Sequence, residues 1–102
     1  MAIILRIVQQ FQSSKRQEFI DLEKQFAVLE HQGILLKGER MSPLASRDPR
    51  NTLIWQQRFD NLQAAERALE VFKSSAEHAE LYDRQKHFME DTWVESYELL
   101  DY

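Results

Sequence analysis

The chain has no cysteine. That absence excludes disulfides, thiolate nucleophiles and cysteine-ligated zinc or iron–sulfur sites. It fits a reducing compartment, and a cytoplasmic location is the expectation. Glycine and proline are scarce, at two each. No glycine-rich phosphate loop and no proline-rich linker can be built from so few. No long apolar run occurs either. Ala2 to Leu5 is interrupted by Arg6, which leaves too few residues for a signal-peptide core or a bilayer span. Positive charge is short as well. The 13 Lys and Arg face 17 Asp and Glu, for a net charge of −4. A nucleic-acid groove needs clustered Lys and Arg, so neither a nucleic-acid nor a membrane partner is expected. The three histidines form no H-x-x-x-H or histidine–carboxylate pattern, so no metal is expected.

What is present suits one domain spanning residues 1–102. Of the 102 residues, 43% are hydrophobic, enough for a packed core. A core this small leaves much surface exposed, so a partner subunit would help.

The stretch from Asn51 to Phe72 organises the rest. Thr52 to Phe59 reads as a strand with Leu53, Trp55, Gln57 and Phe59 on one face. Asp60 with Gln63 reads as a helix cap, followed by a stripe of Leu62, Ala65, Leu69 and Phe72. Before it, Ile3 to Phe11 is a β-branched strand. Ile3, Leu5, Ile7 and Phe11 share one face, with Gln9 the exception. Ile4, Arg6, Val8 and Gln10 share the other, which is too apolar for open water. A helix from Lys15 to Gln32 follows, with Ser14 and Gln17 as a capping box and Gly33 as its stop. Phe19, Leu22, Phe26 and Leu29 form its stripe; Arg16, Glu23, Lys24 and Glu30 fall outside it. Ile34 to Met41 reads as a second strand, where Gly38 marks a bulge or a close backbone approach. Pro43 to Arg50 is a long connection. Ser74 with Glu77 caps a last helix from about Ala76 to Met89, with Ala79, Tyr82 and Phe88 its first expected buried contacts and Leu81 a further one. Thr92 to Tyr102 is the last strand.

Strand, helix, strand, strand, helix, strand is the βαββαβ order of ferredoxin-like α+β domains. Such a domain carries an antiparallel four-stranded sheet with both helices on one face. The other face, with Ile4, Val8 and Ile54, is suited to pressing against a second copy.

Several runs also resemble the NIPSNAP family. They are Asn51-Thr-Leu-Ile-Trp55, Phe59-Asp-Asn-Leu62, Ala64-Ala-Glu-Arg-Ala-Leu69, the Leu5-Arg6 pair and the Gly38 region. The antibiotic-biosynthesis-monooxygenase-like barrels are a similar, neighbouring assignment. The resemblance implies a homodimer whose two sheets enclose a dimeric α+β barrel. It implies no single chemistry, because that fold hosts cofactor-free oxygenases, isomerases, cyclases and simple binders.

His78 is the candidate catalytic residue. It sits in the first turn of the last helix, where the helix dipole favours a neutral imidazole able to act as a base. The plainer reading is a capping or surface histidine. Arg6 and Arg40 lie within strands and are candidate ligand-binding cations, and Arg58 shares that setting. Any of them turned inward needs a carboxylate, for which Glu39, Glu95 and Glu98 are at hand. Trp55 and Trp93 are candidates to line a pocket for a flat apolar ligand, and the plainer reading makes them core; Tyr82 joins Trp55 and His78 as a candidate ligand-binding residue. The expected function is binding or cofactor-free transformation of a small aromatic or apolar molecule. The alternatives are a non-enzymatic homodimeric interaction protein and a cofactor-free monooxygenase-like enzyme.

Overall fold

Ile3–Phe11 forms the central strand β1 of a four-stranded antiparallel sheet. The computed structural model describes all residues, Met1–Tyr102. After β1 come α1 (Arg16–His31), β2 (Glu39–Met41), β3 (Thr52–Phe59), α2 (Leu62–Ser74), α3 (Ala76–Gln85) and β4 (Met89–Glu98). The strand order is β2-β3-β1-β4, and the helices cover one face. This is the ferredoxin-like α+β fold that the element order predicts.

Register fixes which side chains share a face. Ile7 lies between Trp55 of β3 and Val94 of β4; Gln9 lies between Leu53 and Thr92. These belong to the helix-facing side. Phe11 and Phe19 stack there with centroids 4.7 Å apart, and Leu53 packs against them. A second cluster joins Leu22 and Phe26 of α1 to Leu35 and Leu81. Burying each such side chain contributes about 1.5–3 kcal/mol.

Several boundaries differ from the sequence reading. β2 is three residues long, not eight. Leu35 leaves the sheet and enters the helical cluster at 4% exposure, so the apolar run before Gly38 is spent on core, not on strand. α1 starts after a 3₁₀ turn at Ser13–Lys15 and has no side-chain cap. Gly33 does end it, at φ +78°. The cap of α2 is Asn61, whose side chain accepts from the Ala64 backbone N–H at 2.9 Å. Asp60 is its neighbour, and only one of the two can occupy the cap. Ser75, not Ser74, caps α3 by accepting from the His78 N–H at 3.2 Å. On α3 the buried apolar residue is Leu81, whereas Ala79 and Tyr82 are exposed and Phe88 is half-buried. β4 begins at Met89 and ends before Leu99.

The outer face is less bare than its composition suggests. Val8 lies between Ile54 and Trp93, and Val8 and Thr52 are each only 1% exposed. Arg6 donates from Nε to Gln56 at 2.9 Å and lies over the Tyr97 ring at 5.4 Å. Glu95 accepts from the Trp93 indole and the Tyr97 phenol, both at 2.9 Å. Those two bonds hold Glu95 below the usual carboxylate range. The phenol is raised, chiefly by the same bond, with a small push from Asp48.

Candidate functional site

A cavity of about 340 Å³ separates the sheet from the helix layer. That is within the range of small-molecule sites. Its floor is Ile7 and Gln9 of β1, Trp55 of β3 and Thr92 of β4. Glu23, Phe26 and Glu30 come from α1. Leu69, Phe72 and Lys73 come from α2, and His78, Ala79, Tyr82 and Gln85 from α3.

Helical spacing makes one wall aromatic. His78 and Tyr82 are four apart, so they share a face of α3. Their rings are nearly parallel, at 9° with centroids 6.1 Å apart. Phe26 and Phe72 flank the imidazole at 5.3 and 5.4 Å. Trp55 meets Phe72 edge-on, at 88° and 5.3 Å. Edge and face contacts of this kind prefer one another and stiffen the wall.

The His78 ring nitrogens make no hydrogen bond with the protein, since only its backbone N–H is engaged. Burial pushes the imidazole below its ordinary value, and Glu23 pulls weakly the other way. The group is neutral near neutral pH and free to take a proton. The stability consequence has a definite sign. As pH falls through the ordinary histidine range, the unfolded chain takes up the proton first, so stability drops there and is fully present above it. The fall in urea midpoint between about pH 7.5 and pH 5 is expected to shrink in His78→Phe. An unchanged fall would mean the imidazole is not desolvated.

Behind the aromatic wall lies a buried ion cluster. Arg40 donates from Nε to Glu23 at 2.7 Å, and from Nη1 and Nη2 to Glu30 at 3.2 and 2.5 Å. Glu30 also accepts from the Gly38 N–H at 2.9 Å and weakly from the Trp55 indole at 3.4 Å. Glu23 accepts from the Gln85 amide at 2.7 Å. The carboxylate side chains are 6% and 4% exposed, that of Arg40 23%. Burial lowers the guanidinium value, and the bonds from Glu30 and Glu23 outweigh that and leave it raised.

Three of the candidates from the sequence meet at the cavity: His78, Trp55 and Tyr82. Arg40 stands behind the wall with its three donor nitrogens engaged by carboxylates. Arg6 is on the opposite face of the sheet. Arg40 takes Glu23 and Glu30 as partners, not Glu39, Glu95 or Glu98. Sequence reasoning placed Glu23 and Glu30 outside the buried stripe and passed over Gln85. One signal was present: 23 and 30 are seven apart and bracket Phe26, so they lie on one face. No group of three or more His, Asp or Glu side chains is arranged to hold a metal ion. No helix is long and apolar enough to cross a membrane.

No protein-family model matches the chain, and no curated protein matches it either. Solved structures do. A NIPSNAP family protein from Agrobacterium tumefaciens superposes with a TM-score of 0.79 at 13% identity, over 100% of this chain and 96% of that one. The fold is that of NIPSNAP proteins. A NIPSNAP domain protein from Burkholderia xenovorans gives 0.76 at 10% identity, over 98% of this chain and 95% of its own. An antibiotic biosynthesis monooxygenase gives 0.72 at 9% identity, over 97% and 99%. Identities this low speak to the shared fold, not to shared chemistry.

Proposed function

We propose that the chain is a homodimeric α+β barrel protein whose cavity holds a small, flat, largely apolar molecule. His78 serves there as proton acceptor, without a cofactor. The observation that carries this reading is an unpartnered, neutral imidazole set in an aromatic wall over a cavity. Trp55, Phe72 and Tyr82 offer ring faces and edges to a flat ligand. An acidic C–H or O–H of that ligand would lose its proton to an imidazole nitrogen, and the imidazolium formed would be stabilised by Glu23. The antibiotic biosynthesis monooxygenase among the structural neighbours makes oxygenation the first reaction class to assay.

Surface area supports the dimer. The chain exposes 6812 Å², whereas a compact monomer of 12.2 kDa exposes about 6,060 Å². A chain with this much exposed surface gains from covering part of it with a second copy. On the outer face Arg6 sits directly across from Glu95. A two-fold-related copy would thus present complementary charge to this one. Arg6 belongs to this seam in the proposal, and Arg40 acts on the cavity only through the carboxylates it holds.

Native mass spectrometry of protein purified from its own cells tests both halves. A dimer carrying extra small-molecule mass is the expected result. A monomer removes the dimer, and a bare dimer that takes up no flat apolar compound removes the ligand. With the ligand identified, His78→Ala should lower turnover by roughly 100-fold or more while leaving binding nearly intact. Unchanged turnover would deny His78 its role.

A further inference from the structure

Gln9 is the polar interruption on an otherwise apolar strand face. It is 8% exposed, lies in the cavity floor and faces the helices between Leu53 and Thr92. Its side-chain amide has no hydrogen-bond partner in the protein, in contrast to Gln85, which lines the same cavity and donates to Glu23. The Gln9 amide atoms open onto the cavity, so the contents of the cavity, water or a bound molecule, take their hydrogen bonds. We infer that Gln9 reads a neighbouring donor and acceptor on the edge of the ligand, so that the cavity selects neutral lactam- or amide-edged flat molecules over carboxylates. This rests on the ligand-binding reading above and goes further by naming the ligand chemistry.

The amide offers both N–H donors and a carbonyl acceptor. A lactam edge presents the complementary pair side by side. Charge at the cavity points the same way. Glu23 and Glu30 line it, whereas the arginine that holds them does not. An anionic ligand would therefore meet carboxylates. The cation at the wall, Lys73, has a side chain 72% exposed and lies 3.6 Å from Glu70. Thr92, directly across from Gln9 in register, adds a hydroxyl beside the same spot.

Equilibrium dialysis against four bicyclic probes of similar size tests the inference: isoquinolin-1(2H)-one, its N-methyl derivative, 1-methylnaphthalene and 1-naphthoate. The wild-type chain is expected to bind the lactam at least about tenfold more tightly than the N-methyl lactam or the naphthoate. In Gln9→Leu that preference disappears, while 1-methylnaphthalene binds at least as well as before. If 1-methylnaphthalene binds but the lactam shows no preference, or keeps it in Gln9→Leu, the role of Gln9 is overturned and the cavity reading stands. If the naphthoate binds best, the inference is overturned too. If no probe binds, both readings fall.

Discussion

Arg40→Met is expected to destabilise the chain by about 3–5 kcal/mol, because it strands two buried carboxylates. The side chains of Glu23 and Glu30 are 6% and 4% exposed, so they have lost most of their hydration and depend on the guanidinium for charge balance. For a chain of this length each kcal/mol moves the thermal midpoint by about 4–8 °C, which makes a fall of at least about 12 °C the expected reading in a melt. The loss comes from leaving charge unpaired, not from losing an attraction of that size. Arg40→Met combined with Glu23→Gln and Glu30→Gln should therefore recover most of it. Arg40→Lys should fall between, since an ammonium cannot reach both carboxylates with a planar fork. A single Arg40→Met variant that melts with wild type would mean the carboxylates are solvated.

Gly38→Ala is expected to cost about 3 kcal/mol, near the upper end for overpacking. A methyl group at position 38 would overlap the indole of Trp55. That ring is 4% exposed and held edge-on against Phe72, so it can yield only by pushing into the cavity. The Gly38 N–H also serves Glu30, which ties the backbone to the ion cluster and blocks retreat from the other side. Urea unfolding measures the loss, and a changed near-ultraviolet circular dichroism signal reports the displaced indole. Wild-type stability in this variant would show that Trp55 has room to move.

Much of the fold was legible because apolar spacing controls burial. The β-branched and aromatic runs of β1 and β3 mark them as strands, and Phe19, Leu22 and Phe26 mark the buried side of α1. The Gly38 signal was legible as well, since a glycine inside a strand-like run invites a close approach, and Trp55 is what approaches. What was not legible depends on partners distant in sequence. Glu23 and Glu30 look like surface residues until Arg40 arrives from another element. Leu35 belongs to a strand by local preference and to the helical cluster by contact. Asn61 and Asp60 are equally good caps by chemistry, and backbone geometry chooses between them. At the cavity, His78 stood out by its position in the first turn of α3. Gln9 stood out only as a break in a pattern, and its meaning needed the cavity.

The sheet has unequal margins: β2 contributes three residues at one side and β4 ten at the other. Along its free side β4 offers unpaired backbone donors and acceptors, with Val94 and Tyr97 half exposed. A strand of that kind is a template for end-to-end association of many chains. Glu90, Asp91, Glu95 and Glu98 are spread along it, so a second β4 approaching in line meets like charge. Carboxylates on the longest edge thus oppose edge-to-edge pairing of copies. Near the sequence pI of 5.3 the net charge of the chain vanishes and the long-range repulsion between copies goes with it, which makes mildly alkaline buffer the safer medium for concentrated samples.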